Sequence, residues 1–442
     1  MGSVLQVLAL KSASSVAQIC KGCQSGVMAG EDPYPRFLEA AVREALSDTP
    51  VVVIQGARQV GKSTLAQLVA ASSVNVRAVT LDEPAALAVA ESDPAFFVDQ
   101  AGGGLLVIDE AQRAPGLILP LKASVDRDRR PGRFLLTGSA DLLQVKGVGD
   151  SLAGRAETVE LKPLSQGEVA RRNVPEDFVS WLLAGAGAGR FEALDPVVAV
   201  RGGYPEVVRR TPQRAQRWFD SYVERLADHD ARDLHRGGYA DHLRHLLELL
   251  AAGGMQELVK AKTARTLGVA ENTVDTYLRL ATTMRLVASL PSWGRSLRGR
   301  VARRPKVCLN DSGLSAALAR FTAAHAASIG GREYYGALVE QFVALELAKQ
   351  QAWSATPYTL HHFRDLDGLE VDILIELADG QLLAVEVKSS TSITEKSWTN
   401  LIRFRERFPD RHITGACLHA GTQTGQIGGW LHILPITALW QH

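Results

Sequence analysis

Two groups of residues in this chain have the types and spacing that chemistry requires. The stretch GARQVGKS, Gly56–Ser63, fits the pattern GxxxxGK[ST] in full. Its glycines let backbone N–H groups curl around an anion, and a helix starting near Gly61 would point its positive end at that anion. Gly56, Ala57, Arg58, Gln59, Val60, Gly61, Lys62, Ser63 and Thr64 would wrap the phosphates of ATP. Lys62 would reach the β and γ phosphates, and the Ser63 hydroxyl would take Mg2+. The stretch GGGLLVIDEAQ, residues 102–112, ends its apolar run in two acids. Asp109 would hold the same Mg2+ through water, and Glu110 would polarise the attacking water.

The second group lies near the C-terminus. In QLLAVEVKSS, residues 381–390, Glu386 and Lys388 share a face, because a strand repeats every two residues. Just upstream, LEVDILIEL places Glu370 and Asp372 on one face of another strand, and the intervening ADGQ is a hairpin signal. Pairing would bring Asp372 close to Glu386, and two carboxylates on adjacent strands repel unless a cation lies between them. Val371, Ile373, Val385 and Val387 would fill the opposite face. Two readings share this geometry: a solvated hairpin face held by salt bridges, or a metal and water site.

These residues need elements to hold them. Val51–Ile54 and Leu105–Ile108 are uninterrupted apolar runs, the mark of parallel strands buried on both faces. An acid at the C-terminal tip of such a strand stands where an open α/β sheet presents its ligands. YYGALVEQFVALELAKQ, from Tyr334, reads as an amphipathic helix with Glu340 among apolar residues. The chain has 442 residues with 46% hydrophobic and 22% charged side chains and a net charge of +1, so it is an ordinary globular composition of several domains. A polycation is excluded, and nucleic-acid contact would need a local patch. Four cysteines are too few for a disulfide framework, and the lone CxxC of Cys20 and Cys23 lacks the rest of a metal set. No apolar run reaches the roughly 20 residues of a membrane span, so a cytoplasmic protein without a membrane partner is expected.

The middle of the chain supplies such a patch. ARTLGVAENTVDTYL, from Ala264, has the small residue, turn glycine and apolar anchor of a helix-turn-helix at Ala264, Gly268 and Val274. Glu271, Asn272, Thr273 and Asp275 would face outward from its second helix. The following strands bracket GRSLRGRVARRPK, which carries Arg295, Arg298, Arg300, Arg303, Arg304 and Lys306 and no acid. As a basic wing these residues would suit a phosphate backbone, although winged helices also serve as protein–protein modules.

GARQVGKST, LLVIDEAQ, LLTGSAD and SLAGR, in this order, resemble a large prokaryotic family of AAA-type ATPases whose second half has long been catalogued as a domain of unknown function. RGGYPEVV, with Gly202, Gly203 and Pro205, is similar to the motif that follows the ATPase core there and in STAND-type ATPases. The resemblance implies a γ-phosphate sensor at the end of the third strand, at Thr137 or Ser139, and an arginine finger or sensor at Arg155. The C-terminal hairpin resembles the PD-(D/E)xK nuclease fold, with Val371 in place of the proline. That resemblance implies that Asp372 and Glu386 bind Mg2+, or Mn2+, that Lys388 orients the attacking water, and that Glu340 completes the site.

The expected chain is therefore α/β. A leader spans residues 1–34, a P-loop ATPase core 35–160, a helical lid 161–237, a winged helix 238–325 and a nuclease-like domain 326–442. The expected function is an ATP-driven metal-dependent nuclease acting on DNA, with an oligomer left open. The alternative is an ATP-dependent switch that binds partners with the same parts and cleaves nothing.

Overall fold

The computed structural model describes residues 33–138, 152–186, 189–227, 240–294 and 303–442. Met1–Pro35 forms one unit and Arg36–His442 another, and the helices and strands of the described residues all lie in the second. Ser139, Arg295, Arg298, Arg300, Cys20 and Cys23 lie outside the described residues.

The first sheet has five parallel strands: β1 Val51–Gln55, β2 Val76–Thr80, β3 Leu105–Asp109, β4 Phe134–Gly138 and β5 Ala156–Glu160, in the order β2-β3-β4-β1-β5. The apolar runs bury both faces, as their sequence requires. Val52, Ile54, Val107 and Leu135 enter one apolar cluster, and Val51, Val53, Leu106, Ile108 and Leu136 enter the other. The loop after β1 leads into helix α1, Lys62–Ala71. Because the strands are parallel, the C-terminal ends of β1, β3 and β4 meet at one edge.

The segment expected as a lid divides in two. Phe178, Val179 and Leu182 pack into the apolar cluster of the C-terminal sheet. Helix α2, Pro212–Arg225, instead packs beside the phosphate loop, where the Tyr222 hydroxyl donates to the Arg58 carbonyl at 3.1 Å.

Next come α3 Ala240–Gly253, α4 Lys260–Leu267 and α5 Glu271–Thr283. Gly268 ends α4 at φ +68°, a left-handed turn that costs glycine nothing, and Val274 of α5 is fully buried. The outward Asp275 pairs with Lys260 at 2.6 Å. Strands β6 Gln256–Glu257, β7 Val287–Leu290 and β8 Lys306–Leu309 form an antiparallel sheet in the order β6-β8-β7. Helix α6, Ser312–Leu318, follows and is capped by the Asp311 side chain.

Helix α7, Arg332–Gln350, leads into a mixed six-stranded sheet. Its strands are β9 Tyr358–Arg364, β10 Glu370–Leu377, β11 Leu382–Lys388, β12 Ile413–His419, β13 Gly425–Ile427 and β14 Leu431–Pro435, in the order β13-β14-β12-β11-β10-β9. Helix α7 was expected to be amphipathic, yet Gln341, Glu346, Lys349 and Gln350 are buried along with its apolar residues. The sheet covers one side of it and the preceding regions cover the rest. Helix α8, Thr399–Arg407, lies on the sheet's other face with Leu401 and Phe404 buried.

Two features differ from the sequence-based expectation. A register shift on β10 between Val371 and Leu374 breaks the alternation, so Val371 packs on the α8 side while Ile373, Val385 and Val387 pack on the α7 side. A bulge of this kind re-aims side chains, here next to Asp372. The chain after β7 also enters the C-terminal domain. Ser292 bridges to His362, the Trp293 N–H donates to the His362 carbonyl at 2.7 Å, and the Trp293 ring is fully buried against Phe363, Phe404 and Phe408. The base of the expected wing is thus fastened to the edge strand β9.

Candidate functional sites

The phosphate loop has the shape of an anion cradle. Gln59 at φ +63° and Gly61 at φ +97° give the loop the left-handed turns from which N–H cradles are built, and Arg58 and Gln59 are exposed while Ala57 and Val60 are buried. A side chain at Gly56 would come within 2.4 Å of the Leu161 carbonyl oxygen, so only glycine fits there. Lys62 is 5% exposed and donates to the carbonyls of Gly56, at 3.2 Å, and Ala57, at 3.0 Å. Burial pulls its ammonium below the ordinary value, while Glu110 and Asp109 pull it upward.

The Ser63 hydroxyl donates to the Asp109 carboxylate at 2.8 and 3.0 Å, although the two are far apart in sequence. The Thr137 hydroxyl at the end of β4 also bonds Asp109, and it accepts from the Glu110 N–H at 3.1 Å. The Gln112 amide donates to the Glu110 carboxylate. A hydroxyl, a carboxylate and a buried ammonium around an N–H cradle fit Mg2+ and a triphosphate. Thr64, in the first turn of α1, is half-buried.

Two arginines change places relative to the sequence reading. Arg155 precedes β5 and its carbonyl accepts from the Val51 N–H, which puts it at the end of the sheet opposite the phosphate loop. Its guanidinium pairs with Asp126 at 2.7 Å. It therefore does not line its own chain's nucleotide pocket. Arg36, which no motif marks, grips the loop instead: it donates to the Val60 carbonyl at 2.6 Å and the Lys162 carbonyl at 2.8 Å, and it pairs with Glu168 at 3.3 Å.

The C-terminal residues gather at the ends of β10 and β11. Ile373 pairs with Val385, which brings the neighbouring Asp372 and Glu386 to the same end of the hairpin. The Val387 N–H donates to Asp372 at 2.9 Å, and Lys388 donates to one Glu386 oxygen at 2.6 Å. The other Glu386 oxygen is buried without a hydrogen-bond partner. Burial, and then the Asp372 charge, push Glu386 up to about 7; burial also raises Asp372, against the pull of Lys306 and the Val387 N–H. Glu340 of α7 is driven to about 8 by burial and by Asp372.

Lys306 was expected on the basic wing, and the structure removes it from there. It opens β8, is 4% exposed, and pairs with Glu340 at 2.8 Å and Glu370 at 2.9 Å. Burial works against its charge, yet Glu340, Asp372 and Glu370 outweigh that and hold its pKa above the ordinary value. Arg303 and Arg304 are exposed, and Arg303 donates to the Arg364 carbonyl at 3.1 Å. Among the described residues no group of three or more His, Cys, Asp or Glu side chains is gathered for a metal. Asp372 and the unpartnered Glu386 oxygen are two hard oxygen donors, which fit one divalent cation that draws further oxygens from water and substrate.

A buried polar joint connects the two regions. Glu346 of α7 accepts from the Gln166 N–H at 2.9 Å and pairs with Lys349 at 2.6 Å, while Lys349 donates to the Leu164 carbonyl at 3.0 Å. Glu168, two residues from Gln166, is the partner of Arg36. Nearby Glu176 is 1% exposed, and neither carboxylate oxygen has a hydrogen-bond partner at bonding distance. Burial raises it to about 7, against the pull of the Ser165 hydroxyl. Below its ordinary pKa it is neutral in folded and unfolded chains alike, and its contribution to stability is full. Between about 4.5 and 7 the unfolded chain loses the proton first, so stability falls as pH rises, by at most about 1.4 kcal/mol per pH unit. Glu176→Gln is therefore expected to melt like the wild type near pH 5 and several degrees higher above pH 7. Parallel melting profiles from pH 5 to 8 would remove Glu176 from this role.

Residues 48–170 match an AAA domain, 197–325 a domain of unknown function (DUF8612) and 335–439 another domain of unknown function (DUF4143). The chain is 32% identical over 359 residues to an uncharacterized protein of Mycobacterium tuberculosis, covering 81% of this chain and 74% of that protein. An uncharacterized protein of Mycobacterium bovis matches to the same extent. Among solved structures, a Walker-type ATPase of Pyrococcus abyssi is similar at 15% identity and a TM-score of 0.43, over 65% of this chain and 97% of that one. AMPPCP-bound DnaA from Aquifex aeolicus is similar at 15% identity and a TM-score of 0.29, over 58% and 89%. Among the described residues no helix is long and apolar enough to cross a membrane.

Proposed function

The chain belongs to the family of these mycobacterial proteins and carries an AAA-type P-loop ATPase domain, and from that premise we propose that it is a cytoplasmic ATP-hydrolysing protein that acts on DNA, with a C-terminal Mg2+-dependent nuclease site under nucleotide control. One observation carries the nuclease reading: Asp372 and Glu386 meet at the end of a paired hairpin, with Lys388 beside them and one buried Glu386 oxygen unpartnered. A buried carboxylate oxygen without a donor is costly unless a cation takes it. When bound, Mg2+ or Mn2+ would supply charge for an attacking water and a leaving phosphate oxygen. Lys388 would orient the water. In the N-terminal half Ser63 and Asp109 would hold Mg2+, Lys62 the phosphates, and Glu110 the attacking water. Ser139 stays a candidate sensor beside Thr137.

Nucleotide control has a material basis in α7. The helix carries Glu346, in the joint with Gln166, and Glu340, at the carboxylate cluster, about 9 Å further along its axis. Arg36 links that joint to the phosphate loop through Val60 and Glu168. A change in the loop on nucleotide binding therefore has a packed route to the second site. The three helices and small sheet of residues 240–309, with exposed Arg303 and Arg304, support a winged-helix surface for the DNA backbone.

One observation favours the switch reading, in which nothing is cut: Lys388 and Lys306 already pair with Glu386, Glu340 and Glu370. Purified full chain with single-stranded, duplex or branched DNA, Mg2+ or Mn2+, with and without ATP, separates the two. Metal-dependent nicking is expected. Binding with no cleavage under every condition would leave the switch.

A further inference from the structure

We propose that Lys306 takes the place of a second divalent cation in the C-terminal carboxylate site, so that the site holds a single metal ion and is complete only with β8 of the preceding region. The inference rests on the reading of Asp372 and Glu386 as metal ligands.

Charge makes the first argument. Four carboxylates converge there: Glu340 from α7, Glu370 and Asp372 from β10, and Glu386 from β11. Two buried or half-buried ammonium groups face them, Lys306 and Lys388. Among the described residues, two ammonium groups are thus fewer than the four carboxylates they face, a shortage of positive charge that a bound cation can meet. Arg364 approaches Glu370 only at 4.0 Å, with 57% of its side chain exposed, so solvent screens it.

Position makes the second. The cluster has two halves. On one, Lys306 lies within 2.9 Å of Glu340 and Glu370, and its side chain is 6% exposed. On the other, the Glu386 oxygen lacks any partner, and Glu386 is itself 5% exposed. The Glu340–Glu370 half therefore already holds a cation, the Lys306 ammonium, and the Asp372–Glu386 half is the one with an oxygen to offer a metal.

Anchorage makes the third. Lys306 pairs in the sheet with both Glu257 and Leu290, and the chain beyond β7 is pinned to β9 through Ser292 and Trp293. The backbone of Lys306 is thereby fixed beside the cluster, and its side chain is buried there rather than free on the surface. Lys306 is thus a positioning residue that supplies fixed positive charge where a second metal would otherwise be needed.

Mn2+ binding to the full chain without nucleotide reads this directly, counting only the ions that the double variant Glu340→Gln, Asp372→Asn abolishes. The wild type is expected to take up one, Lys306→Arg one, and Lys306→Met two. Two ions in the wild type, or one in a folded Lys306→Met, overturns the inference while leaving the metal site standing. No Mn2+ uptake that depends on Asp372 overturns both. If Lys306→Met is too unstable to titrate, Mn2+ should raise its melting temperature more than it raises that of the wild type, and an equal or smaller rise overturns the proposal.

Discussion

Lys62→Ala should weaken ATP binding by roughly a hundred-fold or more. The buried ammonium now bonds two carbonyls of its own loop, at Gly56 and Ala57, and those bonds would be exchanged for bonds to phosphate oxygens. Two charge-assisted hydrogen bonds at about 1.5–3 kcal/mol each correspond to at least that factor. Glu110→Gln should separate binding from turnover. Its backbone N–H to Thr137 is untouched, so the loop keeps its place, while the carboxylate that would polarise water is lost. Hydrolysis should fall by about 10²–10⁴-fold with ATP affinity preserved. Fluorescent-nucleotide titration and phosphate release measure the two. Wild-type hydrolysis in both variants would sink the assignment.

The second large effect concerns the other site. Asp372→Asn keeps an oxygen that can accept the Val387 N–H, so the hairpin should remain intact. It removes the negative charge that would bind the metal. Losing several kcal/mol of charge stabilisation corresponds to about 10²–10³-fold or more in cleavage rate. ATP hydrolysis should be unaffected, because Asp109 and Ser63 form a separate site on the other sheet. Cleavage that survives Asp372→Asn unchanged would mean that any nuclease activity arises elsewhere.

Local order made much of this legible from sequence. VVVIQGARQVGKST encodes a buried strand, a glycine turn and a helix start within one stretch, and each step rests on neighbours in the chain. The pairing of EVDILIEL with LLAVEVK was readable for the same reason: a short turn fixes the register, Ile373 against Val385, and so brings Asp372 beside Val387 and the EVK stretch. The turn at Gly268 and the burial of Val274 followed likewise from spacing.

What the sequence could not contain is the set of contacts between residues distant along the chain. The bulge that parts Val371 from Ile373 depends on how β9 pairs, and period-two alternation cannot foresee it. Arg155 lies close to the nucleotide motifs in sequence but at the far end of its strand in space. Arg36 shows the reverse, since only folding carries it to Val60 and Glu168. Lys306 closes a run of six basic residues, and a run of like charge reads as a solvated surface. Its burial between Glu340 and Glu370 was decided by tertiary structure alone, because carboxylates distant in the chain converge to compensate this buried ammonium.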